Sequence, residues 1–352
     1  MGKKILWFLL LILFLSLVLF PLKLATLTEL MKPVNIEINP NRLYILDGVT
    51  VWVYSMPDCR LVTKFGKRGQ GPGELVPNDE IPLQMCLLGD NIYVNSQSKI
   101  LQYSEDGRLL SEKRIPFLCM QILPLGDGYA ASRSGMGSNG VITLQVVLLN
   151  SQCTPVKTLT AMAEDDPSTR GKIVIPPPYI YLHRGSDALF VTGGNQRDFC
   201  IEVFNEKGIL LKPIRMPYRR LDLTDNFKDE LIEWLKTDHR FSSVPAEVFR
   251  RLYFLNPLPA VRNMVITKRS AVGSEGKIYI QTYARRGDLS EFFVLDINGN
   301  RLEKLYLPTA CRSKVKMNHE TLFTFYHNKY YYLMENPDTE EWELHIQKLD
   351  GR

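Results

Sequence analysis

The side chains most suited to hydrolytic chemistry form no known catalytic motif in this sequence. Its histidines include neither an H-E-x-x-H run nor a pair at i, i+4, the spacing that places two zinc ligands on one helix face. No serine occupies a Gly-x-Ser-x-Gly run, which would hold a nucleophile on a sharp turn. The five histidines are His183, His239, His319, His327 and His345. The sequence therefore gives no support to zinc-dependent or serine-dependent hydrolysis.

A glycine-rich run at residues 66–75, Gly-Lys-Arg-Gly-Gln-Gly-Pro-Gly-Glu-Leu, contains residue types found in phosphate-binding loops. A Walker loop, however, needs Gly-Lys-Ser/Thr at the start of a helix. Here Pro72 and Gly73 interrupt the chain, and no helical pattern follows. The run therefore predicts a structural turn, in which Glu74 caps nearby backbone amides.

Composition places the chain among ordinary globular proteins. Of its 352 residues, 45% are hydrophobic and 23% are charged, values that exclude a disordered chain, a collagen and a multi-span membrane protein. The net charge of +5 is too small and too scattered for a nucleic-acid surface, so no nucleic-acid partner is expected. The length allows two domains or one large all-β domain.

The N-terminal segment is expected to enter a membrane. Lys3 and Lys4 precede an uncharged run, Ile5–Phe20, which Pro21 and Leu22 extend to eighteen residues. As a helix this run would be about 27 Å long at ~1.5 Å per residue. That length is just below the ~30 Å hydrocarbon core of a bilayer, so the run can span it with local thinning.

Two interpretations of this segment remain open. A cleaved signal peptide needs small residues at −3 and −1, but cleavage after Ala25, the best candidate, places Lys23 at −3. We therefore favour an uncleaved signal anchor within residues 1–22. Residues 5–22 would cross a bacterial cytoplasmic membrane with the N-terminus inside and residues 23–352 outside. If the signal is cleaved, the protein is secreted.

The six cysteines could form disulfides or remain thiols. An oxidising compartment permits disulfides, but the spacings are wide and irregular, and no C-x-x-C pair occurs. Cys86 and Cys119 lie in apolar runs, where a thiol behaves as a small core side chain. We favour buried thiols over disulfides or metal ligands for the full set: Cys59, Cys86, Cys119, Cys153, Cys200 and Cys311.

The rest of the chain repeats one unit: a short apolar strand, a tight turn, a strand with an aromatic residue, an alternating third strand, a second tight turn and a fourth strand. The clearest copy contains Gly89-Asp90 and Asp106-Gly107, which supply the turn residues of two hairpins. Six copies are recognised by their second-strand aromatic residues, which are Tyr44, Tyr93, Tyr129, Phe190, Tyr279 and Tyr330.

The gap between the fourth and fifth copies contains a helical insert at about residues 218–260. The apolar period changes there from two to that of a helix. A first helix is predicted from the shared face of Phe227, Leu231, Trp234 and Leu235. A second helix is predicted after Pro245, with Val248, Leu252 and Leu255 on one stripe.

Six four-stranded units of about 45 residues, none able to bury both faces alone, predict an all-β, six-bladed β-propeller. A helical insertion and one N-terminal transmembrane or signal-anchor helix complete this prediction, and an open β-sandwich is the alternative. The sixth unit ends where its fourth strand should begin, while residues 23–31 alternate but belong to no unit. We expect residues 23–31 to supply this missing outer strand and close the ring.

The glycine-rich run 66–75, directly after a Leu-Val-Thr-Lys strand, resembles the blade-ending signature of bacterial six-bladed β-propeller proteins related to NHL repeats. The segments 276–280 and 293–302 are similar to late blades of that family, which a helical insert commonly precedes. The sequence departs from the consensus at Asn95, where the family has Asp, and in the later blades, which lack the Gly-Pro-Gly run. The resemblance covers roughly residues 34–350 and implies six blades.

Six-bladed propellers with hydrolase or lactonase activity hold calcium or another divalent ion in the central channel, on oxygen ligands from several inner strands. The inner strands are predicted at residues 34–38, 83–87, 120–123, 180–183, 271–273 and 322–326. Their polar candidates include one sure carboxylate and are Glu37, Gln84, Gln121 and His183. We therefore expect a neutral channel lining and no cofactor or metal. A divalent-metal-dependent hydrolase or lyase is the alternative function.

The insert is the candidate surface for a partner or a lid on the channel mouth. Its aromatic candidates are Phe227, Trp234, Phe249 and Tyr253. The pair Arg219 and Arg220 flanks it and is suited either to an anionic partner or to solvated chain ends. We expect a membrane-tethered, extracytoplasmic propeller that binds a protein, peptide or glycan without catalysis.

Overall fold

Six antiparallel four-stranded sheets dominate the computed structural model of the chain, and the predicted all-β, six-bladed propeller is confirmed. The described residues are 22–77, 83–96, 98–136, 142–163, 172–175, 179–193, 199–237, 245–267, 276–309 and 322–349. In this part of the chain, no helix is long and apolar enough to cross a bilayer. The predicted anchor lies outside it, apart from Leu22.

The first half of the ring consists of three blades, each written from the channel outward. Strand β1, Leu22–Leu27, precedes them and belongs to the last blade. Blade 1 contains β2 Pro33–Ile38, β3 Arg42–Asp47, β4 Thr50–Ser55 and β5 Leu61–Phe65, followed by the short parallel pair β6 Lys67–Arg68 and β7 Glu74–Leu75. Blade 2 contains β8 Gln84–Leu88, β9 Asn91–Asn95, β10 Lys99–Ser104 and β11 Leu109–Arg114. Blade 3 contains β12 Gln121–Leu125, β13 Gly128–Met136, β14 Ile142–Leu149 and β15 Pro155–Ala163.

The second half contains three blades and the insert. After β16, Ile173–Ile175, blade 4 contains β17 Ile180–Arg184, β18 Ala188–Gly193, β19 Phe199–Asn205 and β20 Ile214–Met216. The insert contains helix α1 Asp225–Thr237, helix α2 Ala246–Phe249 and strand β21 Leu252–Phe254. Blade 5 contains β22 Asn263–Ile266, β23 Lys277–Arg286, β24 Leu289–Asp296 and β25 Arg301–Pro308. Blade 6 contains β26 Phe323–Tyr326, β27 Lys329–Glu335, β28 Trp342–Lys348 and, outermost, β1.

The predicted ring closure by the N-terminal strand is confirmed. Strand β1 pairs antiparallel with β28, from Leu22 opposite Ile346 to Leu27 opposite Trp342. It begins one residue before the predicted boundary at residue 23 and ends at Leu27, so the predicted continuation to residue 31 is wrong. The inner strand of blade 1 also contacts that of blade 6, which completes the circle.

The hydrophobic core is divided among the spaces between blades. Six buried clusters occur in the described residues, and each draws its side chains from two neighbouring blades. Alternating strands have one face toward each neighbour, so every blade buries both faces only when it stands between two others. At the junction of blades 6 and 1, Leu27 is 1% exposed and packs in a cluster with Tyr54, Leu333 and Leu344.

The ring has two sides. On the turn face lie the turns that join the first to the second and the third to the fourth strand of a blade. The Arg184 guanidinium illustrates this face, because it donates to the Pro124 carbonyl of blade 3 at 2.8 Å and pairs with Glu206 at 3.1 Å. The connections between successive blades lie on the opposite side, the crossover face, together with the insert.

The second predicted helix of the insert is largely wrong. Helix α2 ends at Phe249, and Leu252 lies in β21, which pairs in parallel with β16. The backbone amide of Leu255 donates to the Ile175 carbonyl at 2.8 Å, continuing this ladder. Residues 252–254 form a strand because they pair with residues 173–175, and the apolar spacing of residues 248–255 contains no information about this distant partner.

Five of the cysteines are described, and each of these five is a thiol outside any disulfide: Cys59, Cys86, Cys119, Cys153 and Cys200. Cys311 lies outside the described residues. Burial raises the pKa of the Cys119 thiol to about 12, which keeps it protonated and unreactive. The preference for thiols packed in the core is confirmed for Cys119, Cys153 and Cys200, which are buried.

A candidate ligand site in the central channel

The inner strands of all six blades enclose a cavity of about 1160 Å³ on the ring axis. Its wall can be compared between blades by numbering each inner strand back from its hairpin. Position one is the residue that closes the hairpin: Asn39, Leu88, Leu125, Gly185, Thr267 and Tyr326. Because side chains alternate along a strand, positions three and five share one direction.

Two layers of channel side chains follow from this numbering, and all of them line the cavity. Position three contains Glu37, Cys86, Leu123, His183, Val265 and Thr324. Position five contains Asn35, Gln84, Gln121, Tyr181, Asn263 and Leu322. The second layer, which we call the amide layer, presents four carboxamides and one phenol.

The structure brings the four predicted channel residues together in these layers. Glu37 and His183 occupy the same position on blades 1 and 4, which lie opposite each other in a six-membered ring. Gln84 and Gln121 lie in the amide layer. The predicted fifth inner strand at residues 271–273 lies outside the described residues; β22, residues 263–266, is the inner strand of blade 5.

Gln121 joins two blades. Its side-chain amide donates to the Leu182 carbonyl at 2.8 Å, and its Oε1 accepts the Leu182 backbone amide at 3.0 Å. These bonds satisfy both backbone groups of a residue on the neighbouring inner strand. Gln121 therefore fixes the spacing of blades 3 and 4 and is a structural member of the amide layer.

Two other members of the amide layer have different hydrogen-bonding states. Asn263 Oδ1 accepts the backbone amide of Met264 at 2.8 Å. Asn35 Oδ1, in contrast, is buried without a hydrogen-bond partner. A buried acceptor without a partner costs free energy, and because this oxygen is not accessible from the cavity, it does not itself contact the channel space.

On blade 4 the side chains of the two channel layers are uncharged, whereas Arg184, which also lines the cavity, pairs with Glu206 at the turn face. Burial lowers the pKa of His183 to about 4, so its imidazole is neutral at pH 7. The Tyr181 hydroxyl donates to the Arg262 carbonyl, and the neighbouring Tyr179 hydroxyl donates to the Val261 carbonyl at 2.5 Å. Burial raises the pKa of Tyr181, so the phenol keeps its proton.

A metal centre is not apparent in the channel. Glu37 is the single carboxylate among the twelve side chains of positions three and five, whereas calcium favours several oxygen ligands and negative charge. Within the ranges that the structure describes, no group of three His, Cys, Asp or Glu side chains is placed to hold a metal ion. The arrangement is suited to hydrogen bonding with an uncharged molecule.

The predicted partner-binding residues are divided between scaffold and surface. Arg220 donates through Nε to the Leu258 carbonyl at 2.8 Å and through Nη2 to the Pro257 carbonyl at 2.6 Å, so it holds the end of the insert. Arg219 is exposed. Phe249 ends α2 and is half-buried, and Phe227 and Trp234 both lie in α1.

Tyr253 lies in the middle of β21 and is half-buried. The Lys172 ammonium stands over its ring, 4.9 Å from the centroid. Because the insert lies on the crossover face, Phe249 and Tyr253 also lie there. Arg220, in contrast, is engaged in hydrogen bonds to the backbone.

Sequence reasoning missed Asn35, Tyr181 and Asn263 as channel residues. Asn35 and Tyr181 each lie two residues before a predicted candidate, so strict alternation from Glu37 and His183 would have identified them. No local signal identified Asn263, because β22 is short and follows the insert directly.

Comparison with known proteins agrees with the ring of six blades. Residues 14–158 match DUF5128, a family described as a 6-bladed beta-propeller. No curated protein sequence matches the chain significantly.

The chain is similar to several solved structures at low sequence identity. A Bacteroides fragilis protein described as exported is 13% identical, with 94% of each chain covered and a TM-score of 0.52. The Neurospora crassa Pan2 WD40 domain is 9% identical, with coverage of 90% of this chain and 89% of that one and a TM-score of 0.42. BBS1N, solved in complex with ARL6DN, is 10% identical, with coverages of 91% and 81% and a TM-score of 0.41.

Proposed function

We propose that this chain is a non-catalytic binding protein, tethered to the outer side of a bacterial cytoplasmic membrane, that takes an uncharged polar ligand into its central channel. Residues 5–22 provide the tether, with Lys3 and Lys4 inside. The exported Bacteroides fragilis protein of the same fold agrees with an extracytoplasmic location.

The assignment of the ligand rests on the amide layer. A carboxamide has donors and an acceptor, and a sugar hydroxyl is both a donor and an acceptor. Gln121 is bonded to Leu182, so Asn35, Gln84 and Asn263 are the carboxamides that we assign to the ligand. The neutral His183 and the protonated Tyr181 add hydrogen-bonding groups without charge. A hydroxyl-rich neutral ligand, such as a short glycan, matches the side chains of these two layers better than an anion or a metal ion does.

The insert provides a second contact surface, for a protein or peptide partner or as a lid over the channel mouth. It lies on the crossover face and is tied by β21 to β16, in the connection between blades 3 and 4. Phe249, Tyr253 and Arg219 are the described side chains that we assign to this surface.

The ligand assignment is tested by calorimetric titration with neutral disaccharides and with uronic-acid disaccharides of the same size. We expect binding of at least one neutral sugar and weaker binding of its acidic counterpart. In the variant Asn35→Ala/Gln84→Ala, binding should be lost while the melting temperature is kept. The matched control Gln102→Ala, in the third strand of blade 2 and outside the cavity, should bind normally. Binding that survives loss of Asn35 and Gln84, or that prefers the acidic sugars, would contradict the assignment.

A further inference from the structure

In every blade, an exposed aliphatic side chain lies within the first two residues of the outer strand or in the segment that leads into it. These residues lie at the turn face, at the start of the fourth strand or, in blade 4, around the isolated β-bridge between Phe204 and Leu210. Their exposed fractions are 40–64%. In blades 1 to 6 they are Leu61 and Val62; Leu109 and Leu110; Val156; Ile209, Leu210 and Leu211; Leu302; and Leu22. We call this set the aliphatic rim.

The two faces of the ring differ in exposed apolar surface. Sixteen large apolar side chains are exposed in the described part of the chain. Ten belong to the aliphatic rim, and Ile297, in a turn of blade 5, lies on the same face. The remaining five are separated from one another along the crossover face: Met31, Val76, Leu118, Ile173 and Leu221. Isolated apolar residues are normal on a surface, but recurrence at one position of six blades is not.

Basic side chains flank the aliphatic rim in all six blades. Six of them are sequence neighbours of a rim residue, Lys207 lies two residues before Ile209, and all seven are exposed: Arg60, Arg108, Lys157, Lys207, Lys212, Arg301 and Lys23. Two of the seven also have partners in the protein: Lys23 pairs with Glu343 at 2.7 Å, and Lys157 donates to the Gly208 carbonyl at 3.0 Å. The same turns contain acids, of which Glu206 pairs with Arg184 at 3.1 Å and Glu105 accepts from Asn39 at 2.8 Å. Adjacent aliphatic and cationic side chains are the combination that binds an anionic lipid surface.

The chain enters the ring at this same rim. Leu22, 64% exposed, is both the start of β1 and the end of the apolar run 5–22. No linker separates the predicted membrane segment from the turn face, so a bilayer that holds residues 5–21 lies next to the aliphatic rim.

We propose that the turn face rests on the lipid bilayer, with the aliphatic rim at the boundary of headgroups and acyl chains and the basic neighbours at anionic phospholipid headgroups. This proposal rests on the tether proposed above. It directs the crossover face, with the insert, away from the membrane.

The experiment uses the full chain reconstituted into vesicles of phosphatidylethanolamine and phosphatidylglycerol at 3:1, doped with a phospholipid that has a diazirine on its acyl chain. After irradiation and an alkaline wash, lipid adducts are mapped by mass spectrometry. We expect adducts at residues 109–110 and 209–211 and none at Leu118 or Ile173. Vesicles of phosphatidylcholine alone should give fewer rim adducts, because the basic neighbours lose their anionic partners.

One triple variant and one double variant provide the comparison. In Ile209→Ser/Leu210→Ser/Leu211→Ser, the yield of lipid adducts at blade 4 should fall several-fold. In Met31→Ser/Leu118→Ser, on the other face, the adduct yield at the rim should equal that of the natural protein. All altered side chains are exposed, so the melting temperatures should not change. Adducts confined to residues 1–21, or equal on both faces, would overturn the rim contact alone. A chain washed off the vesicles would refute the tether, and the rim proposal with it.

Discussion

Lys23 and Glu343, 320 residues apart in the sequence, form an ion pair of 2.7 Å between β1 and β28. Asn336 donates to the same carboxylate at 3.0 Å, and the His345 ring lies 3.0 Å from its other oxygen. The N-terminal strand is thus joined to the last blade by side chains as well as by its backbone. Closure of the ring therefore depends on the segment that directly follows the predicted tether.

Loss of packing at the closure should destabilise the whole ring. Leu27→Ala removes a buried side chain between blades 6 and 1 and should lower the free energy of unfolding by about 2–5 kcal/mol. Met31→Ala, at an exposed residue four positions later, should change it by less than about 0.5 kcal/mol. Denaturant titration of the full chain in detergent measures both. Equal effects of the two substitutions would mean that β1 does not contribute to closure.

The closure should also weaken in acid. Hydrogen bonds from Lys23 and Asn336 hold the pKa of Glu343 at about 2, below its usual value of 4.5. A lowered native pKa stabilises the fold fully above the unfolded value, and this contribution is lost as pH falls from about 4.5 toward 2. The melting temperature should therefore drop more between pH 6 and pH 3 in the natural protein than in Glu343→Gln. Glu341→Gln, at a half-buried residue near the start of the same strand, should show the natural pH profile.

The two glutamines of the amide layer should differ in their effect on stability. Gln121→Ala leaves the backbone amide and carbonyl of Leu182 without their partners and should cost about 1–3 kcal/mol. Gln84→Ala alters the same layer without breaking a hydrogen bond to another blade and should cost less than about 1 kcal/mol. Chemical denaturation measures the free energy of unfolding of both variants and distinguishes these two expectations. A Gln121 variant as stable as the Gln84 variant would show that the contact to Leu182 is not structural.

The glycine-rich run should be sensitive at Gly69. Its φ is +153°, and a Cβ there would lie 1.9 Å from the Glu74 carboxylate, which is also bonded to the Gly71 amide at 3.0 Å and to Lys67 at 2.6 Å. Gly69→Ala should displace this carboxylate and lower the melting temperature. At Gly48, where φ is +58° and the added Cβ would meet nothing, Gly48→Asn should be tolerated, because Asn accepts that conformation. If both substitutions lowered the melting temperature equally, the loss of stability would come from backbone conformation and not from displacement of Glu74.

Metal removal should have no effect. With one carboxylate among the twelve side chains of the two channel layers, a chelator should leave the melting temperature unchanged, and elemental analysis should find no stoichiometric calcium. A bound divalent ion together with a chelator-induced loss of stability would instead support the alternative, a metal-dependent hydrolase or lyase.

Much of the channel could be predicted because strand alternation is local. The position of Glu37 and His183 two residues inside a hairpin turn follows from the sequence around each one. Their placement on opposite blades needed only the count of units. Asn263 could not be predicted, because β22 is a short strand that follows the insert directly. The β16–β21 pair could not be predicted, because pairing partners more than 70 residues apart leave no periodic signal in either segment.

The sequence by itself determined the class of fold, the number of blades and the origin of the closing strand, because each depends on a period-two pattern and on turn residues within a few positions. Only the tertiary structure decided that Gln121 binds a neighbouring backbone, that Arg220 holds the insert and that the exposed aliphatic residues of six blades share one rim. These relationships join residues that are distant in the chain, and they arise when twisted sheets are arranged around a common axis.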